Sequence, residues 1–224
     1  MEIYRKGVII IGTPILILGQ SGSGKSTSLR NFSEKEVGVF NVAGKPLPFR
    51  SKIKTFNTSD YNQIAKSLKD NKLKCYVVDD SQFLMSFEQI AKAKETGYAK
   101  YTDMGLHFMN LIRTIQNETS EDTIVYLLHH TERSEDGMIK AKTVGKMIDN
   151  WVTLEGLFSI VLLAWTDGKH HKFITQSDGF TTCKSPLDMF PLEMDNDLKA
   201  VDTTIREYYG WTDNKKVCPQ NETK

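Results

Sequence analysis

The sequence predicts an α/β fold, a mostly parallel central sheet flanked by helices with β-hairpins towards the C-terminus. Three observations predict it. Short β-branched apolar runs alternate with stretches of helical periodicity, the order that builds a parallel sheet covered on its faces. A glycine-rich stretch, Gly19-Gln20-Ser21-Gly22-Ser23-Gly24-Lys25-Ser26, lies directly between the first apolar run and the first helical one. Later apolar runs are punctuated by Glu135-Asp136-Gly137, Asp167-Gly168 and Asp178-Gly179, combinations that turn a chain back on itself.

Each element follows from its own residues. The first strand spans residues 15–18, and a helix over 25–35 follows the glycine-rich loop. A second strand over 37–42 runs into the stiff turn Gly44-Lys45-Pro46-Leu47-Pro48, and 53–56 gives a further short strand. Asp60 is placed to cap a helix reaching Asp70, with Ile64, Ala65 and Leu68 at helical spacing. Residues 75–78 form a third major strand ending in Asp79-Asp80-Ser81. Residues 82–118 read as two helices broken near Gly97, the second carrying Met104, Phe108, Leu111, Ile112 and Ile115 on one side. A strand over 123–128 ends in His129-His130, and a helix is expected over 146–154. Strands over 158–165 and 172–176 are joined at Asp167-Gly168, and a helix over 198–208 precedes a polar tail. The expected division is a core over 1–195, then a C-terminal helix and loose tail over 196–224.

Composition narrows the function classes. The chain has 224 residues and a formal net charge of +1, so no general pull towards nucleic acid or membrane surfaces is expected, and such contacts must come from local patches. Its three cysteines, Cys75, Cys183 and Cys218, are isolated, lack zinc-ligand spacing and suit a reducing cytoplasm. The longest apolar run, residues 8–18, is interrupted by Gly12, Thr13 and Pro14 and falls short of the roughly 20 residues that span a bilayer. No membrane association is expected.

The chemistry concentrates in two segments. Residues 19–26 fit G-x-x-x-x-G-K-[ST] between a strand and a helix, a pattern that chance gives in roughly one chain in a hundred of this length. Gly22 and Gly24 let backbone amides turn inward around phosphates, Lys25 supplies a point charge, and the Ser26 hydroxyl can ligate Mg²⁺. The nucleotide-binding set thus runs Gly19, Gln20, Ser21, Gly22, Ser23, Gly24, Lys25, Ser26 and Thr27, with ATP and Mg²⁺ as cofactors. Tyr76-Val77-Val78-Asp79 is an apolar strand ending in a carboxylate, which reads as the second Mg²⁺-holding element through Asp79. Asp80 reads either as a turn or capping residue or as the carboxylate that polarises an attacking water. His129, at the end of the next strand, is the candidate phosphate sensor; whether it or His130 faces the site depends on the pleat. Arg133, Lys140, Lys142, Lys146 and Lys184 are candidates for reaching a neighbouring subunit's phosphate or for DNA. The run Lys45, Arg50, Lys52, Lys54 reads as surface.

Together these residues resemble the RecA-like core P-loop NTPases of bacteriophages, small ATPases of the recombination and single-strand-annealing group also labelled phage AAA-type ATP-binding proteins. The matching pieces are Gly19 through Ser26, Val77-Val78-Asp79-Asp80-Ser81 and the strand ending at His129. They continue with Gly145-Lys146-Met147-Ile148-Asp149 leading to Leu157-Phe158-Ser159-Ile160, and with Phe173-Ile174-Thr175-Gln176-Ser177-Asp178-Gly179 followed by Lys184-Ser185-Pro186. They cover most of residues 8–190. The resemblance implies ATP hydrolysis with Mg²⁺ in a ring or filament of identical subunits and a sheet whose Asp79 strand is not adjacent to the phosphate-loop strand. It also implies single-stranded DNA as the partner, alongside phage recombination or replication proteins in the host cytoplasm. One departure stands out: Phe40-Asn41-Val42-Ala43-Gly44 offers no acid where such enzymes carry a catalytic glutamate. Asp80 then takes that role, or ATP serves mainly as an assembly switch. The rival readings are a nucleotide-gated scaffold or loader and a P-loop nucleotide kinase, the latter lacking an arginine-rich lid.

Overall fold

The run Pro14-Ile15-Leu16-Ile17-Leu18 has no polar face, and the fold shows why. In the computed structural model, which describes residues 12–144 and 153–211, this run forms β1 (Thr13–Gly19), with parallel neighbours on both sides. The neighbours are β5 (Ile124–Arg133) and β7 (Val161–Thr166). Both faces are covered: Leu16 and Leu18 join one core layer, Ile15 and Ile17 the other. A strand buried on both faces loses the apolar–polar alternation that an exposed sheet would show.

The remaining strands are β2 (Gly38–Asn41), β3 (Thr55–Asn57), β4 (Cys75–Asp79), β6 (Ile139–Ala141), β8 (His171–Ile174) and β9 (Glu193–Asp195). The sheet order is β3-β2-β4-β5-β1-β7-β8-β9, with β6 paired to β5. Pairs from β3 through β7 are parallel, while β7–β8, β8–β9 and β5–β6 are antiparallel. The protein is therefore α/β with a mostly parallel, mixed central sheet flanked by helices. β5 lies between β1 and β4, the separation of the Asp79 strand from the loop strand that the resemblance implied.

Helices α1 (Tyr61–Lys69), α2 (Gln82–Ala91) and α3 (Ala99–Glu118) cover one face. As the sequence indicated, Asp60 caps α1, accepting from the Asn62 amide at 2.8 Å. The other face is covered by a 3-10 helix at Ser26–Asn31 and by α4 (Leu198–Tyr209). The expected helix over 25–35 thus stops early. Phe32 leaves it in an extended conformation and buries its ring in the second core layer, which a further helical turn would not allow.

Two other expectations change. The strand over 123–128 continues to Arg133, because its far end gains an antiparallel partner: Thr131, Glu132 and Arg133 lie opposite Ala141, Lys140 and Ile139. The helix after residue 195 is no appendage. Leu198, Val201 and Ile205 are fully buried against the sheet, and three such side chains contribute on the order of 5 kcal/mol, a large part of a domain's net stability. Beneath the sheet, Asp202 accepts from the Tyr126 hydroxyl and from Arg206, whose guanidinium also reaches the carbonyls of Asp122 and Lys74. The helix expected over 146–154 falls mostly on 145–152, outside the described residues; Leu154–Leu157 is a 3-10 turn. No helix among the described residues is long and apolar enough to cross a membrane.

Candidate functional site

At the carboxyl ends of β1 and β4 the two segments singled out by sequence meet. The chain leaves β1 through Gly22 and Gly24, with φ of 80° and 98°, a region glycine enters without strain. At Gly24 space imposes the same choice: a Cβ there would lie 2.9 Å from His171 Nδ1 and 3.1 Å from Asn196 Oδ1. The 3-10 helix beyond is fixed from the C-terminal side, where Arg30 donates to the Asn196 carbonyl and Asn31 to Asp197. The loop is thus held between β1 and the β9–α4 junction.

Lys25 is buried and folds back over the loop, its Nζ donating to the carbonyls of Gly19 at 2.8 Å and Gln20 at 2.9 Å. Burial lowers its pKa from 10.5 to about 8, although Asp80 and Asp79 pull it back up. Ser26 donates from Oγ to Asp79 Oδ1 at 2.8 Å, joining residues 53 positions apart. Burial raises the Asp79 pKa, the Ser26 bond notwithstanding. A buried carboxylate touching a hydroxyl is a hard oxygen donor pair that suits Mg²⁺. Among the described residues no group of three or more His, Cys, Asp or Glu side chains could hold a metal. Mg²⁺ is usually held by one or two protein oxygens completed by water and substrate oxygens, and the Ser26–Asp79 pair is of that kind.

Asp80 adopts φ of 59°, a left-handed conformation uncommon outside glycine. The turn sends its carboxylate back over the cleft. There Oδ2 meets Lys45 Nζ at 2.9 Å and Oδ1 meets His130 Nε2 at 3.0 Å. Burial pushes its pKa up, but the His130 and Lys45 hydrogen bonds outweigh burial and hold it at about 2. Asp80 is a fixed anion, not a helix cap.

His129 does not face this cleft. It is fully buried on the α3 side, 5.8 Å from the Phe108 ring. Its Nε2 meets the Lys142 carbonyl at 2.8 Å and its Nδ1 the Ser81 hydroxyl at 2.9 Å. Because a carbonyl only accepts, Nε2 carries the proton, while the Ser81 hydroxyl on the Nδ1 side also lies 3.1 Å from the Leu128 carbonyl. Burial lowers its pKa from 6.5 to about 4. Alternation along β5 instead sends His130 to the cleft, so of the two histidines it is His130 that faces it.

The cleft, about 220 Å³, is lined by Ser21, Gly22, Gly24, Lys25, Ser26 and Thr27 on one side and by Asp79, Asp80, His130 and Lys45 on the other. Lys45, read from sequence as surface, is thus a site residue that the sequence reading missed. The only signal was its place after the β2 strand; Asn41 fixes it, donating from Nδ2 to the Lys45 carbonyl at 2.6 Å.

The expected basic cluster does not join the cleft. Lys140 pairs with Glu132 at 3.2 Å across the hairpin, and Arg133 donates to the Gly137 carbonyl. Lys142 contributes its backbone to His129. Lys184 is bridged through its backbone to Val161, at the start of β7. Lys146 lies outside the described residues. Arg133 does line a neighbouring groove with Gln20, Ser21, Ser23 and Trp165. That groove shares Arg133 and Trp165 with a larger cavity of about 620 Å³ that reaches Phe180.

No protein-family model matches the chain, and no curated protein matches it.

Proposed function

We propose that the chain is a RecA-like P-loop NTPase that binds ATP with Mg²⁺ and hydrolyses it. The observation that carries this reading is the 2.8 Å contact between Ser26 Oγ and Asp79 Oδ1, beside a buried lysine at the mouth of a glycine-rich loop. Backbone amides of Gly22 through Thr27 cradle the phosphates, and Lys25 exchanges its two carbonyl partners for phosphate oxygens. Ser26 and Asp79 would hold Mg²⁺, which when bound would screen charge on the terminal phosphates. Asp80 and His130 orient the attacking water. Asp80, an anion down to about pH 2, is too weak a base to keep a proton and acts by position.

The test is nucleotide affinity and turnover with and without Mg²⁺, in wild type and Lys25→Ala. Metal-dependent binding lost in a folded Lys25→Ala protein supports the reading. Equal affinity in the two proteins removes it.

One observation favours a second reading, a nucleotide-gated scaffold with little turnover: both Asp80 oxygens are already engaged, by Lys45 and His130. Assembly driven equally by ATP and a non-hydrolysable analogue, without measurable phosphate release, would select it. As partner we propose single-stranded DNA, bound by a ring or filament of the chain during phage recombination or replication. The groove carrying Arg133, Trp165 and Phe180 supports this, since it offers a cation and two exposed rings for base stacking.

A further inference from the structure

We propose that Lys45 is the second catalytic cation of this site and that it acts in cis, on the γ-phosphate bound by its own chain; the inference rests on the ATPase reading above. Three observations support it. First, the lysine is delivered, not merely nearby. Gly44 turns the chain at φ 67°, buried Asn41 holds the Lys45 carbonyl, and Pro46 and Pro48 stiffen the segment beyond it. The backbone is held, while the side chain stays 62% exposed, its ammonium 5.1 Å over the Phe83 ring and 2.9 Å from Asp80.

Second, its present partner is the residue that must be freed. Lys45 Nζ occupies Asp80 Oδ2, and His130 occupies Oδ1. A γ-phosphate offers the ammonium a denser negative charge than one carboxylate, so arrival of a triphosphate draws Lys45 off Asp80. Oδ2 is then open to accept from a water. On this proposal a diphosphate, lacking the γ-phosphate, leaves the pair closed. Third, Lys45 and Lys25 both line the one cleft. Two ammonium groups lining one cleft are stabilised together by a polyanion bound in it.

The chemistry balances without further reactants. The water oxygen forms a bond to the γ-phosphorus as the bond from that phosphorus to the bridging oxygen breaks. The electron pair of that bond leaves with ADP, and the water proton passes to a γ-phosphate oxygen. Lys45 stabilises the charge on the transferring phosphoryl group, the part a trans-acting arginine plays in related chemistry. Lys140 pairs with Glu132 and Arg133 reaches the Gly137 carbonyl within the hairpin, whereas Lys45 already lines the cleft.

The experiment compares wild type, Lys45→Met and Lys45→Arg in ATP affinity and steady-state turnover, and mixes Lys45→Met with Lys25→Ala. A cation acting in the transition state leaves affinity within about 5-fold and lowers kcat at least about 100-fold in Lys45→Met, with partial rescue in Lys45→Arg. Turnover per wild-type chain stays constant with protein concentration, and the mixture does no better than its parts. Lys45→Met turning over at the wild-type rate, or faster because Asp80 is released, overturns the catalytic role. Recovered activity in the mixture overturns action in cis. Wild type that binds Mg²⁺-ATP without turnover overturns the role of Lys45 but leaves the phosphate loop standing. Wild type that binds no nucleotide brings down the underlying reading as well.

Discussion

The loop after β2 and the hairpin of β5 and β6 both carry lysines towards the carboxyl end of the parallel sheet, and their lysines end in different places. In the loop, Lys45 has no acid in its own segment; its nearest carboxylate is Asp80, which arrives from β4. In the hairpin, Glu132 lies directly opposite Lys140 in the antiparallel register and takes its charge at 3.2 Å, as cross-strand neighbours do. A basic cluster in sequence is thus a poor guide to a catalytic cation. What decides is whether local geometry supplies an anion before the site does.

Reversing charge at the two places should give the largest contrast. Lys45→Glu places a second anion beside Asp80 and should cut turnover at least about 100-fold, while Lys140→Glu should leave DNA-free turnover within about 2-fold because Lys140 does not line the cleft. Similar losses in both variants would erase the distinction.

The hairpin root is tied to the core by His129, and this gives the next effect. Its pKa is about 4 in the folded protein against 6.5 ordinarily, so the unfolded chain binds the extra proton. The associated stability is present above pH 6.5 and is lost as pH falls from 6.5 to 4, amounting to on the order of 3 kcal/mol over that window. Urea unfolding at pH 7 and pH 5 should show a steeper loss in wild type than in His129→Gln. Parallel losses would mean that His129 is not the group titrating.

A smaller effect is expected where the hairpin meets DNA. Lys140→Ala combined with Lys142→Ala should weaken single-stranded DNA binding in the presence of a non-hydrolysable ATP analogue. If both lysines reach phosphates, the slope of log affinity against log salt should fall by about 1 to 2. An unchanged slope would shift the DNA contact away from these two lysines, with Arg133 and the aromatic groove among the remaining candidates.

The smallest signal comes from Lys25. With a pKa of about 8 in the free site, half of the chains carry a neutral amine at pH 8. Phosphate binding restores the charge, so about half a proton should be taken up per nucleotide at that pH, and affinity should fall as pH rises further. Calorimetry in buffers of different ionisation enthalpy measures this directly. Identical heats in all buffers would show that Lys25 is already fully charged.

How much of this was legible differs residue by residue. The loop from Gly19 to Ser26 and the carboxylate of Asp79 could be read from sequence because each is dictated locally. Gly22 and Gly24 meet a backbone requirement within a few residues, and a β-branched run ending in acid is a strand and its end. The parallel sheet, the cap at Asp60 and the turn at Gly137 were legible on the same ground. The side of β5 on which a histidine falls was not. Val125, Leu127, Ile124 and Tyr126 are all buried, so the apolar pattern carries no phase, and only packing against Phe108 and Asp80 separates His129 from His130. Lys45 lies 35 residues from Asp80, and the fusion of α4 into the core depends on contacts with β-strands far earlier in the chain. Local chemistry is written in neighbouring residues, whereas partners across the sheet exist only once the chain has closed on itself.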